Sequence, residues 1–235
     1  MKLETQCLHA GTQPDPTTNS RAVPIYRTAS YVFNDTEHAA NLFGLKELGN
    51  IYTRLMNPTT DALEQRVAAM EGGAAALAFA SGTAAIFNSI INIAQSGDEI
   101  ISSASLYGGT YTMLNDIMPQ FGITVRFIDV KDPSAIAGAV NEKTRAVFCE
   151  TVSNPALEVT DLAAWADAAH AHGLPLIVDS TFTTPALQRP IEHGADIVVH
   201  SLTKWMGGHG TSIGGIVVDS GTFDWKSDRF PLMND

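Results

Sequence analysis

A chain of 235 residues, 45% hydrophobic and 17% charged, is long enough for one large domain with a substantial core, and it lacks the bias of disordered, collagenous or disulfide-built proteins. Its formal net charge of −11, with no basic block, argues against nucleic acid and anionic membranes as main partners. The first residues carry no signal-peptide core, no apolar run is long enough for a bilayer, and Cys7 and Cys149 lie far apart without metal-ligand spacing; together these predict a reduced, cytoplasmic setting.

In chain order, residues 1–60 are rich in Pro, Thr, Asn and Gly with weak periodicity, and they read as an extended arm with one short helix at 37–48. Regular structure is expected from Asp61, where Asp61 and Glu64 make a capping pair ahead of Leu63, Val67 and Met70. Strands at 74–80, 99–103, 124–128, 145–150, 174–178, 196–200 and 215–218 then alternate with helices. The helices are placed at 83–94, 109–120, from Asp132-Pro133, at 161–172 with Gly173 as its stop, and at 185–193. The strands are short and apolar on both faces, which predicts an α/β fold with a mainly parallel seven-stranded sheet between helices. A Gly-rich connection without room for a crossover helix makes the last strand antiparallel to its neighbour.

Open α/β sheets bind ligands beyond the carboxyl ends of their strands, so the residues after each strand carry the argument. Ser81-Gly82-Thr83-Ala84-Ala85 is a small-residue turn opening a helix, suited to a phosphate, although such turns are most often structural. Asp179 is an acid at a strand end, either a loop anchor or a fixed charge beneath a heterocycle nitrogen. Lys204, behind Ser201 and Thr203 and beside Trp205, has small or apolar neighbours that predict a partly desolvated, nucleophilic amine. Amine, carboxylate and phosphate cradle at one sheet edge are what holding pyridoxal phosphate requires. Tyr107 is placed to stack on a flat ring or to be an ordinary loop tyrosine, and Arg54 is either a phosphate ligand or a surface charge. His170 and His172 are two apart on a helix and do not share a face, so no metal site is expected there; Trp165 reads as core.

The segments Tyr52-Thr53-Arg54-Leu55-Met56-Asn57-Pro58-Thr59, Ser81-Gly82-Thr83-Ala84-Ala85, Tyr107-Gly108-Gly109-Thr110-Tyr111, Ser153-Asn154-Pro155, Val178-Asp179-Ser180-Thr181-Phe182 and His200-Ser201-Leu202-Thr203-Lys204 resemble, in order, the Cys/Met-metabolism pyridoxal-phosphate enzymes of fold type I. Arg21-Ala22-Val23-Pro24-Ile25-Tyr26 and Gly208-His209-Gly210-Thr211-Ser212-Ile213-Gly214-Gly215 are most similar to the O-acetylhomoserine sulfhydrylases within it. The resemblance implies that Lys204 forms the Schiff base and shuttles protons, Asp179 pairs with the pyridine nitrogen, and Tyr107 stacks on the ring. It also implies that Gly82, Thr83, Ser201 and Thr203 hold the phosphate, that Asn154 lies by the phenolic oxygen, and that Thr181 belongs to the cofactor shell. Tyr52 and Arg54 are implied to reach the phosphate of a neighbouring subunit in a homodimer or homotetramer.

The implied partners are an amino-acid substrate and sulfide, with O-acetylhomoserine converted to homocysteine and acetate. A methionine γ-lyase, a cystathionine γ-synthase or a non-catalytic cofactor-binding module are the alternatives. The implied division is an arm at 1–60 and a cofactor-binding large domain at 61–235. Family members continue into a smaller C-terminal domain that this chain does not contain. Two departures are local: Ser180 stands where many members have Asn, and Thr83 where they have Met or Gln.

Overall fold

The computed structural model describes residues 1–233; Asn234 and Asp235, the end of the expected large domain, lie outside the described residues. Fifteen α-helices and β-strands follow one another along the chain. They are α1 (Leu3–His9), α2 (Thr36–Phe43), α3 (Pro58–Glu71), β1 (Ala75–Phe79), α4 (Gly82–Ile91), β2 (Glu99–Ser103), α5 (Gly108–Thr112), β3 (Thr124–Ile128), α6 (Ala135–Ala139), β4 (Thr144–Glu150), α7 (Leu162–His170), β5 (Leu176–Asp179), α8 (Thr184–Leu187), β6 (Ile197–Ser201) and β7 (Gly215–Asp219).

All seven strands join one sheet in the order β1-β7-β6-β5-β4-β2-β3. β2 to β6 run parallel, and β7 is antiparallel to both its neighbours, β1 and β6. Alternate residues serve two cores. Val147, Cys149, Leu176, Val178 and Val198 pack with Leu162 and Trp165 of α7 on one face. Phe148, Ile177, Ile197 and Val199 pack with Ile86 and Ile90 of α4 on the other. Two buried faces are why these strands read as continuous apolar runs. Trp165 is fully buried, and its indole N–H donates to the Val130 carbonyl at 3.0 Å. Behind Ser201, the His200 ring meets Glu71 at the end of α3 at 2.5 Å, both side chains wholly buried, which fixes α3 to β6.

Several helix boundaries depart from expectation, each for a local reason. The arm contains α1 as well as α2, and α2 is shorter than 37–48. It is capped by Asp35, which accepts the His38 N–H, and it stops at Gly44, after which Leu45 turns into the left-handed region. Asp61 and Glu64 do not cap α3. Asn57 does, by accepting the Thr59 N–H with Pro58 at the first helical position, while Glu64 reaches across to take the Ala78 N–H of β1. The helix expected from Asp132 begins only at Ala135, after a turn. The segment 109–120 divides into α5, a π turn at Met113–Ile117 and a 3-10 turn at Met118–Phe121. The segment 185–193 breaks at Gln188 and Arg189 into α8 and a 3-10 turn at Pro190–His193, as the residue before a proline resists the helical region. Finally, the lateral strands are less covered than the middle ones: Leu77 of β1 is half exposed.

Candidate cofactor-binding site

The carboxyl ends of β4, β5 and β6 open on a cavity of about 640 Å³ that also takes in the start of α4 and the turns after β2 and β4. Gly82, Thr83, Tyr107, Asn154, Asp179, Thr181, Ser201, Thr203 and Lys204 all line it. Tyr52 and Arg54 do not; they line a separate depression of the arm, with the Arg54 guanidinium 5.5 Å from the Tyr52 ring centre.

At one end of the cavity, Ser81 caps α4 by accepting the Ala84 N–H at 3.1 Å, and the first amides of the helix, at Gly82 and Thr83, face this end with its partial positive charge. Position 82 must be glycine, because a Cβ there would stand 2.5 Å from the Ser201 Cβ. That contact joins the helix start to the end of β6. The chain then folds back, and the Thr203 hydroxyl both accepts the Gly214 N–H at 3.1 Å and donates to its carbonyl.

On the floor, the Asp179 Oδ1 accepts the Thr181 N–H at 2.9 Å, and the Thr181 hydroxyl accepts the Ser201 N–H at 2.7 Å. Burial pushes the Asp179 carboxyl above its ordinary range, with the Thr181 hydrogen bonds opposing the shift. Among the described residues Asp179 makes no ion pair. A partly buried carboxylate without a counter-ion favours a cation placed against it.

Tyr107 begins α5 with its ring about half exposed over the cavity. The ring lies on Gly109, where a Cβ would stand 2.6 Å from the Tyr107 Cε1. Lys204 corrects one expectation: the side chain is exposed, not partly desolvated. Its neighbour Trp205 is mostly exposed and the following glycines form an open turn, so the apolar and small residues beside Lys204 in sequence do not close over it.

One residue was missed. Glu150 ends β4 at the cavity, is 5% exposed, and accepts the Tyr107 N–H at 2.8 Å. Burial, then the neighbouring Asp179, push its carboxyl up to about 8. The rule that singled out Asp179, an acid closing an apolar strand, applies equally to Glu150.

The donors match pyridoxal phosphate: an amine for the aldehyde, an unpaired carboxylate for the ring nitrogen, and helix amides with hydroxyls for the phosphate. Comparison with known proteins agrees. The model of the Cys/Met metabolism PLP-dependent enzymes matches residues 4–235. O-acetyl-L-homoserine sulfhydrylase of Leptospira meyeri is 58% identical over 97% of this chain and 52% of its own length. Homocysteine synthase of Schizosaccharomyces pombe is 54% identical over 99% of this chain and 55% of its own. A crystal structure described as an O-acetylhomoserine (thiol)-lyase from Campylobacter jejuni, which carries a pyridoxyl-lysine phosphate, superposes with a TM-score of 0.95 at 40% identity, covering 98% of this chain and 57% of that one. The chain thus spans about half the length of the relatives it matches.

Proposed function

The chain belongs to the Cys/Met metabolism PLP-dependent enzymes, and on that premise we propose that the whole protein replaces the acetoxy group on the γ-carbon of O-acetyl-L-homoserine with sulfide, giving L-homocysteine and acetate. The observation that carries the reading is the likeness, along nearly the whole chain, to proteins named for this reaction. The cavity supports it by gathering an amine, an uncompensated acid and a helix N-terminus at one sheet edge.

In this reading the bound cofactor supplies an electron sink conjugated to the substrate's α-carbon. The residues of the chain do the rest. Lys204 would hold the cofactor through Nζ, and the same Nζ would be the base that takes the substrate's α-proton and later returns it. Its exposed position leaves Nζ free to move between those tasks. Asp179, held by Thr181, keeps a proton on the ring nitrogen by charge. Tyr107 and Asn154 line the same cavity, where Tyr107 would screen the cofactor's ring from water and Asn154 would serve its phenolic oxygen and the substrate. The amides of Gly82 and Thr83 and the Ser201 hydroxyl would bind the phosphate, joined by the Thr203 hydroxyl once it turns its proton from the Gly214 carbonyl, and Tyr52 and Arg54 would serve the site of a partner subunit in a homodimer or a pair of dimers. Residues 1–60 then act as an arm and 61–235 as the cofactor-binding domain. Among the described residues no helix is long and apolar enough to cross a membrane, and the proposed setting is the cytoplasm.

The test uses the purified full-length protein with pyridoxal phosphate, O-acetylhomoserine and sulfide. Homocysteine and acetate in equal amounts are expected. Formation of 2-oxobutyrate and ammonia without homocysteine would replace this reading with an eliminating γ-lyase.

A further inference from the structure

Glu150 has no part in the roles above, yet its contacts converge on two residues that do. It ends β4 in register with Asp179 of β5, on the same sheet edge. Its Oε1 accepts the Tyr107 N–H at 2.8 Å. Its carboxyl takes a second backbone hydrogen bond from Asn154. Its own carbonyl accepts the Thr160 hydroxyl at 2.6 Å, so the anchor is held from behind. Tyr107 and Asn154 themselves sit on exposed turns, and Tyr107 makes no side-chain cap to its own helix. Without the carboxyl, the Tyr107 amide loses the partner that holds the start of α5 at the cavity.

We infer that Glu150 is a positioning residue, whose carboxyl sets where the Tyr107 ring and the Asn154 side chain stand over the cavity floor. This rests on the cofactor reading proposed above. Its protonation supports the role. Burial, then the neighbouring Asp179, push its carboxyl up to about 8, which favours the neutral form beside Asp179 while an acceptor oxygen still serves Tyr107.

The experiment titrates full-length apoprotein with pyridoxal phosphate and follows the cofactor's induced circular dichroism. Glu150→Ala is expected to raise the Kd about tenfold, the scale of one lost backbone hydrogen bond, and to weaken the dichroism. Glu150→Gln keeps an oxygen at the same reach and is expected to stay within about threefold of wild type. In a Tyr107→Ala background, Glu150→Ala is expected to add less than about twofold, because its main route of action is gone. Should Glu150→Ala not fold, Glu150→Asp takes its place, its shorter reach costing the same contact. Wild-type Kd and dichroism in the truncated variant, or full additivity with Tyr107→Ala, overturn the inference while leaving the cofactor reading intact. Failure of the wild-type protein to take up the cofactor overturns both.

Discussion

The central strands and the N-terminal arm draw on the same apolar residues and put them to opposite use. Val147, Phe148, Val178 and Val198 are wholly buried between two helical layers, whereas Ile25, Val32, Leu45 and Leu48 of the arm stand 81–95% exposed. The sheet is stabilised by contacts within its own chain. The arm is tied down by a few polar links, such as Tyr26 N–H to the Thr59 hydroxyl and Asn57 to the Tyr26 carbonyl, and it offers a surface that this chain alone does not cover. The contrast supports the proposal that chemistry and global stability belong to the sheet, and association to the arm.

The sharpest test of that division is chemical. Lys204→Ala in the full-length protein is expected to cut turnover about ten-thousandfold, ~5 kcal/mol, with an unchanged melting curve, as measured by steady-state kinetics and calorimetry. An arm substitution with an equal effect on turnover at saturating cofactor would break the division. Next in size is the core. Trp165→Ala is expected to lose about 3–5 kcal/mol in urea unfolding, since it leaves a cavity and strips the Val130 carbonyl of its donor.

A pH scan probes the sheet edge. Glu150 is raised from 4.5 to about 8 in the folded apoprotein, so between those values the native state keeps a proton that the unfolded chain has released. Its contribution is therefore complete below pH 4.5 and is lost as pH rises through about 8. Asp179, also raised, adds to the slope with the same sign, while Lys204 and the Tyr107 phenol are the other ionisable groups at the cavity. Glu150→Gln is expected to flatten that decline by on the order of 2–4 kcal/mol in chemical unfolding at successive pH values.

Smaller effects belong to the arm. Arg54→Ala is expected to weaken cofactor binding about tenfold, ~1.4 kcal/mol, without moving the apoprotein's melting temperature. Val32→Ser is expected to change unfolding free energy by less than about 0.5 kcal/mol, and to show itself in sedimentation as weaker association.

What could be read in the chain beforehand follows the same contrast. The seven strands were legible because burial on both faces leaves a continuous apolar run, and the placement of Asp179 and Lys204 at the cavity because one closes such a run and the other follows three residues after one. Glu150 closes one too, but only the fold shows that its carboxyl meets the amide of Tyr107, forty-three residues earlier. Asn57-Pro58 carried a legible helix start that lay hidden inside a longer motif. The π turn within 109–120 leaves no periodic mark, and the exposure of Lys204 depends on what covers the cavity rather than on its sequence neighbours.

The place of β7 has a consequence for how the protein is made. Among the described residues β1 pairs with no strand except β7, which lies between it and β6 in the sheet. Gly215 faces both Phe79 and Ser201 in register, and a side chain there would strike the Ser81 carbonyl at 2.0 Å. On the ribosome, β1 therefore has no strand to pair with until residue 215 has emerged, and before then the turn at Ser81 meets the end of β6 through Gly82 and Ser201. Insertion of β7 then braces that meeting from the side, and it can do so only because position 215 carries no side chain.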